Sequence, residues 1–207
     1  MSLKLSVLAG AAVALLATGA LQAQDAFNRD PAQVRAGRYN LDPAHSKITW
    51  SVNHLGFSTY TGQFAGGTGT LQIDPKSPQA AKLEVKVDTT QVGTLNEALD
   101  KHLKTADFLD VANHPTATFR STSLKLVDKD TADITGELTL RGVTKPVTIR
   151  ADFHQSGVNP LDKTYSLGFD GTTKIKRSDF GVNYAVPMVG DEVTLHLEAE
   201  FKLAPAA

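Results

Sequence analysis

The sequence predicts an all-β protein: eight antiparallel strands closed into a barrel, with one short helical segment across an end. Three observations lead there. Apolar residues alternate with polar ones at period two in about eight separate runs. The runs are divided by turn-rich stretches such as "DPKSP", "DKD", "SGVNPLDK" and "MVGDE". Helical spacing occurs once, around "DKHLKTADFLD", residues 100–110. A strand with one wet face must bury the other. With a single helix available, the apolar faces have to cover one another. Consecutive antiparallel strands with short turns favour an up-and-down barrel over a sandwich.

The elements follow in order. "MSLK" and the uncharged run "LSVLAGAAVALLATGAL" precede "QAQ". This is the order of a secretory signal, expected over residues 1–23, with cleavage near Ala23 and Ala20 as the alternative cut. No cysteine occurs in the chain. The barrel must therefore stand without disulfides, which suits a bacterial periplasmic protein with a large core. Residues 24–38 carry no period and read as a linker. The domain proper is expected over residues 39–203.

"SKITWSVNH" turns Ile48, Trp50, Val52 and His54 to one face, and "AKLEVKVD" does the same with Leu83, Val85 and Val87. Phe119 belongs to "TATFRSTSLKLVD" and Leu138 to "ADITGELTLR". Phe153 follows in "PVTIRADFH", Phe169 in "YSLGFDG", and "EVTLHLEAEF" closes the series. An eight-stranded barrel is either filled by its side chains or holds one slender ligand. Gly69, Gly136, Ala151, Gly168 and Ala199 read as small inward residues. They leave room, or they relieve crowding at bends.

For the helical segment, Thr94 and Glu97 form a T-x-x-E capping box. Leu95, Ala98, Leu99 and Leu103 then fall at helical spacing, giving a helix of roughly 95–104. It is too short to cover a sheet. It can close a barrel end with Leu99, Leu103 and Phe108.

Bulk charge excludes little but is informative. With 21 basic and 22 acidic residues the net charge is -1, and no basic excess marks a nucleic-acid surface. No nucleophile elbow, phosphate loop or metal-spaced histidine pair is present, so no catalytic residue, metal or cofactor is expected. "FAGGTGT" reads as a bulged hairpin. Asp107 and Asp110 suit a solvated turn better than an acid/base pair. His54, on an inward face, either bonds a ligand's polar end or a backbone carbonyl. "KRSDFGV" holds either an Arg177–Asp179 turn or a contact to a ligand head group.

"YNLDPAHSKITWSVNHLGFSTYTGQF" resembles the opening of the YceI-like family of exported proteins. "DKHLKTADFLDVANHPTATF" resembles that family's D-x-H-L-x-x-x-D-F…P-x-x-x-F signature, here Asp100, His102, Leu103, Asp107, Phe108, Pro115 and Phe119. "GELTLRGVTKPV" and "RSDFGV…GDEV" match its later blocks. The similarity runs from Tyr39 to about Leu203. It departs at Leu109, where the family often has a second aromatic.

The resemblance implies an extended, lipocalin-like barrel holding a long apolar lipid, an isoprenoid or similar amphiphile, with no enzymatic role established family-wide. The lipid-contacting set expected on this basis begins with Trp50, Val52, His54, Phe57, Phe64 and Val85. Leu99, Leu103, Phe108 and Phe119 follow from the middle of the chain. Leu138, Phe153, Phe169 and Phe180 complete it. Besides the lipid, transient membrane contact during loading and a dimer remain open as partners. An esterase or isomerase using His54 or His102 as base, and a ligand-free barrel, are the alternatives.

Overall fold

The computed structural model describes residues 27–205, so the expected secretory segment lies outside the described residues. Among these residues the strands are β1 (Phe27–Asn28), β2 (Gly37–Leu41), β3 (Lys47–His54), β4 (Ser58–Phe64), β5 (Thr68–Ile73) and β6 (Lys82–Asp88). Then come β7 (Val92–Gly93), β8 (Thr116–Leu126), β9 (Thr131–Leu140), β10 (Val143–Val158), β11 (Tyr165–Lys176) and β12 (Val189–Leu203). One α-helix, α1 (Glu97–Leu103), stands between β7 and β8.

All pairings are antiparallel, and they close a ring in the order β2, β5, β6, β8, β9, β10, β11, β12 and back to β2. Closure leaves the ring without a free edge. β10 has 16 residues and β12 has 15, so the barrel is long for its strand number. At about 3.3 Å per residue these strands rise roughly 50 Å.

Three of the ring's strands are broken, all at the same level. β2 and β3 run in line along β12, the first against Phe201–Leu203 and the second against Val189–Glu198. β4 and β5 run in line beside them, and β6 and β7 beside those. Counting each broken pair as one strand gives an up-and-down meander. The glycine-rich "FAGGTGT" is thus not a bulged hairpin. β4 and β5 do not pair with each other; Gly66, with φ +76°, interrupts one long strand. The other two breaks begin at aspartates. Asp88 accepts from the Thr90 N–H at 2.9 Å, and Asp42 from the Ala44 N–H at 3.0 Å.

Asp42 is buried and also meets Lys202 Nζ at 2.7 Å and His45 Nδ1 at 2.8 Å. Burial would raise its pKa, but the bonds from Lys202, His45 and the Ala44 N–H outweigh it and hold the carboxyl down to about 2. A depressed carboxyl contributes stability that is complete above its unfolded pKa, near 4, and is lost as pH falls through about 2. Asp42→Asn should flatten that part of the acid limb and cost up to about 2 kcal/mol at neutral pH. Urea midpoints measured across this range check it. An unchanged limb would show that Lys202 is held sufficiently by Asp162, its other partner at 2.7 Å.

The stretch expected to be a linker, 24–38, belongs to the barrel from Phe27 onward. Phe27 and Asn28 pair with Gly157 and Ser156. Asp30 caps a 3-10 turn at Pro31–Gln33. Val34 is buried with Tyr39, Leu71, Tyr165, Leu167 and Phe201. The Tyr39 hydroxyl donates to Arg35 O at 2.6 Å, and the Arg35 guanidinium lies 4.2 Å from the centre of the Tyr165 ring. This aromatic knot fills one end of the barrel. Val34 is the one residue of the turn buried, so no period could show.

The helix is the connection between the third and fourth strands of the meander, at the opposite end. Its cap is not the expected box. Asn96 is the N-cap, accepting from the Leu99 N–H at 3.2 Å. Thr94 instead donates its hydroxyl to Asp100 at 2.6 Å. Leu95, expected on the apolar stripe, has φ +64° and is 104% exposed.

Candidate ligand cavity

Period two fixes which side chains meet inside. Leu83, Val85 and Val87 of β6 point inward, while Glu84 points out and pairs with Arg120 at 2.9 Å. The inward faces leave a cavity of about 800 Å³ along the barrel. Its size is that of a small-molecule site. Its walls are overwhelmingly aliphatic and aromatic. At one end Ile73 and Leu126 line it; at the other, Trp50, His54, Phe108 and Tyr184 do.

Of the expected contact residues, Trp50, Val52, His54, Phe64, Val85 and Phe119 line the cavity. So do Leu99, Leu103, Phe108, Leu138, Phe153 and Phe169. Two do not. Phe57 lies in the β3–β4 turn and is 89% exposed. Phe180 is 2% exposed, but it packs in a 3-10 turn after β11, beside Lys145, Pro146 and Thr194 outside the cavity. Among the small residues, Ala151 and Ala199 line the cavity. Gly168 faces outward, toward His154 Cβ at 3.7 Å, because it stands between Leu167 and Phe169, which both face in. Gly171 is inward instead, against Ile149 and Leu197. At Gly136 the freed space is taken by the Phe119 ring, and at Gly69 by the β6 backbone, so these two leave no room for a ligand.

Three rings meet at the helix end of the cavity. His102 stands edge-on to Phe108 at 5.0 Å and to Tyr184 at 5.1 Å, and Phe108 is 5.2 Å from Tyr184. All three line the cavity. His102 Nε2 is 2.9 Å from Asp107 Oδ2, which joins the end of α1 to the turn after it. His54 packs on Tyr60 at 6.1 Å. Behind Phe108, Leu103, Leu109 and Val92 form a buried cluster that seats the segment.

The sequence profile of the YceI-like domain matches residues 39–201. The chain belongs to the YceI-like family. A UPF0312 protein of Azotobacter vinelandii is 41% identical over 170 residues, spanning 81% of this chain and 88% of that one. A UPF0312 protein of Pseudomonas aeruginosa is 42% identical over the same share of each. A crystal structure of a YceI protein from Campylobacter jejuni aligns with TM-score 0.66 and 29% identity, covering 74% of this chain and 90% of that one. BcnA from Burkholderia cenocepacia aligns at 0.70 with 23% identity, over 77% and 98%. A polyisoprenoid-binding domain from Saccharophagus degradans aligns at 0.63 with 14% identity, over 82% and 100%. The last two relationships are of fold.

In the YceI-like barrel the resembling blocks build the parts that period two does not. The Asp100–Phe119 block is the plug, tied down where Thr89 Oγ1 donates to His114 O at 2.9 Å. Arg141, between β9 and β10, donates to Gly181 O and to Ala106 O and so latches the plug to the turn after β11. Arg177 is the larger surprise. It lies in the expected turn, a 3-10 turn at Arg177–Phe180, and it lines the cavity. Its buried guanidinium donates to the carbonyls of Gly190, Val182, Tyr184 and Val189 at 2.8–3.0 Å. It holds the loop that presents Tyr184. No periodic signal marks either arginine or Tyr184.

Proposed function

We propose that this YceI-like barrel binds a long apolar lipid, an isoprenoid or similar amphiphile, inside its cavity, and sequesters or carries it in the periplasm without chemical change. One observation carries the reading: the apolar cavity is continuous along the barrel and ends at the His102–Phe108–Tyr184 rings. The binding named for the Saccharophagus degradans domain supports the choice of lipid, and the signal-like residues 1–23 support the compartment. Each buried methylene contributes about 0.8 kcal/mol. A long chain would nominally pass the affinity ceiling near -18 kcal/mol, so the ordering of the chain offsets much of it. Tight binding then needs no specific polar contact.

Native mass spectrometry of protein purified without detergent should show an adduct of several hundred daltons on a chain beginning near Gln24. Repeated ligand-free spectra would overturn the lipid reading, and a full-length chain the periplasmic one. Phe108→Ala should speed lipid release more than it slows uptake. It should cost less than the about 3–5 kcal/mol of a pure core truncation, because a bound chain can shift into the space. Strong destabilisation with release at the wild-type rate would make Phe108 ordinary core.

A further inference from the structure

The β3–β4 turn and the residue before β12 expose large apolar side chains at the end of the barrel where the three rings meet. Phe57 is 89% exposed, Met188 64% and Leu55 47%. They form one tip, because the Leu55 N–H donates to Met188 O at 3.1 Å and the Phe57 N–H to His54 O at 3.0 Å. Their chain neighbours, His54 and Val189, line the cavity, as do Tyr184 and Ala185 from the same loop. Tyr184 is half-exposed, so the cavity wall and the outer surface meet there.

The tip is also free of formal charge over a long stretch of sequence. No Asp, Glu, Lys or Arg occurs between Lys47 and Asp74, nor between Asp179 and Asp191. Asp191, the nearest acid in sequence, is engaged by Ser178, accepting from its N–H at 2.9 Å and its hydroxyl at 2.7 Å. Charge at this end sits on α1, where exposed Lys101 and Glu97 pair at 2.6 Å, and not on the tip; at the opposite end the turns themselves are charged. Asp128, Lys129 and Asp130 share one turn there. Lys202 bridges Asp42 and Asp162 beside another. A protruding, uncharged, aromatic-bearing turn suits the interface of a lipid bilayer, where a charge would have to be desolvated. A protein partner would more commonly meet a polar rim with paired charges.

We infer that the Leu55–Phe57–Met188 tip docks on a bilayer surface and sets the helix end of the cavity against it, so that a lipid passes between membrane and barrel without crossing water. This rests on the lipid-binding reading, yet the two can fail separately. The test uses the full mature chain, phosphatidylcholine vesicles and a pyrene-labelled long-chain alcohol. Wild type should float with the vesicles, and high salt should not release it, since the contact is apolar. The triple variant Leu55→Ser, Phe57→Ser, Met188→Ser should float at least about tenfold less and take the probe from vesicles at least about tenfold more slowly. It should still take up probe diluted from ethanol at the wild-type rate. Leu161→Ser, an exposed leucine at the other end, should change neither.

Equal flotation of wild type and triple variant, or no flotation of wild type, overturns the docking. A wild-type dimer that the triple variant dissociates, with vesicles left untouched, overturns it in favour of a second copy of this chain. Flotation without uptake of probe by either route leaves the docking supported and removes the lipid-binding reading.

Discussion

Val85→Asp should cost several kcal/mol or abolish folding, while Glu84→Lys one residue away should cost less than about 1 kcal/mol. Val85 sits between Gly69 on β5 and Phe119 on β8 and lines the cavity. A carboxylate there has no donor to meet it. It must stay neutral, draw water into an apolar wall, or push the strands apart. Glu84 faces out. Its loss removes one exposed ion pair to Arg120 and sets two cations side by side, a small effect on a wet face. Urea unfolding of both variants decides it. Equal costs would mean the register of β6 is displaced by one residue, which would exchange every inward and outward side chain of the strand.

The second large effect is expected at Arg177. Arg177→Met should destabilise by about 3–5 kcal/mol. It leaves four carbonyls of the 182–190 loop without their donor, at about 1–3 kcal/mol each if they stay dry. Part is recovered because a buried guanidinium no longer has to be desolvated. Arg177→Lys should rescue only part of the loss, since an ammonium cannot reproduce a planar fork that reaches several carbonyls at once. Because Tyr184 is one of the carbonyl partners, lipid release should accelerate in both variants. A cost under about 1 kcal/mol with unchanged release would show that water replaces the guanidinium and that the loop holds itself.

Those two residues also mark what could and could not be read from the sequence. Val85 was legible, because a strand reports its faces through alternation, and Leu83, Val85 and Val87 alternate without a fault. The same signal places Trp50, Val52 and His54 correctly on β3. It fails one turn later. Phe57 looks like a further apolar residue of the same run, but β3 ends at His54 and the chain reverses. Gly168 fails by the same alternation, since its neighbours Leu167 and Phe169 already take the inward places. Phe180 is apolar and buried as expected, but on the wrong side of the wall. The arginines were illegible for a different reason. Each serves carbonyls on segments far along the chain, and no spacing rule encodes which loop will need a donor. The broken strands were hidden too. β2 and β4 are short and mixed in composition, and what unites β2 with β3 is a shared partner, β12, at the far end of the sequence.

That partnership sets an order of events for the newborn chain. Within the ring, every strand but the last finds a neighbour a short distance ahead, so most of the sheet can assemble locally and quickly. The exception is the seam, where Ser46 and Glu200 meet across 154 positions. Until β12 is available, the sheet is an open trough with its greasy side bare and with two raw edges, at β2 and β11. No vessel exists for a cargo before the final fifteen-residue strand arrives. A chain lacking that strand would be unsealed along its whole length, not merely shortened.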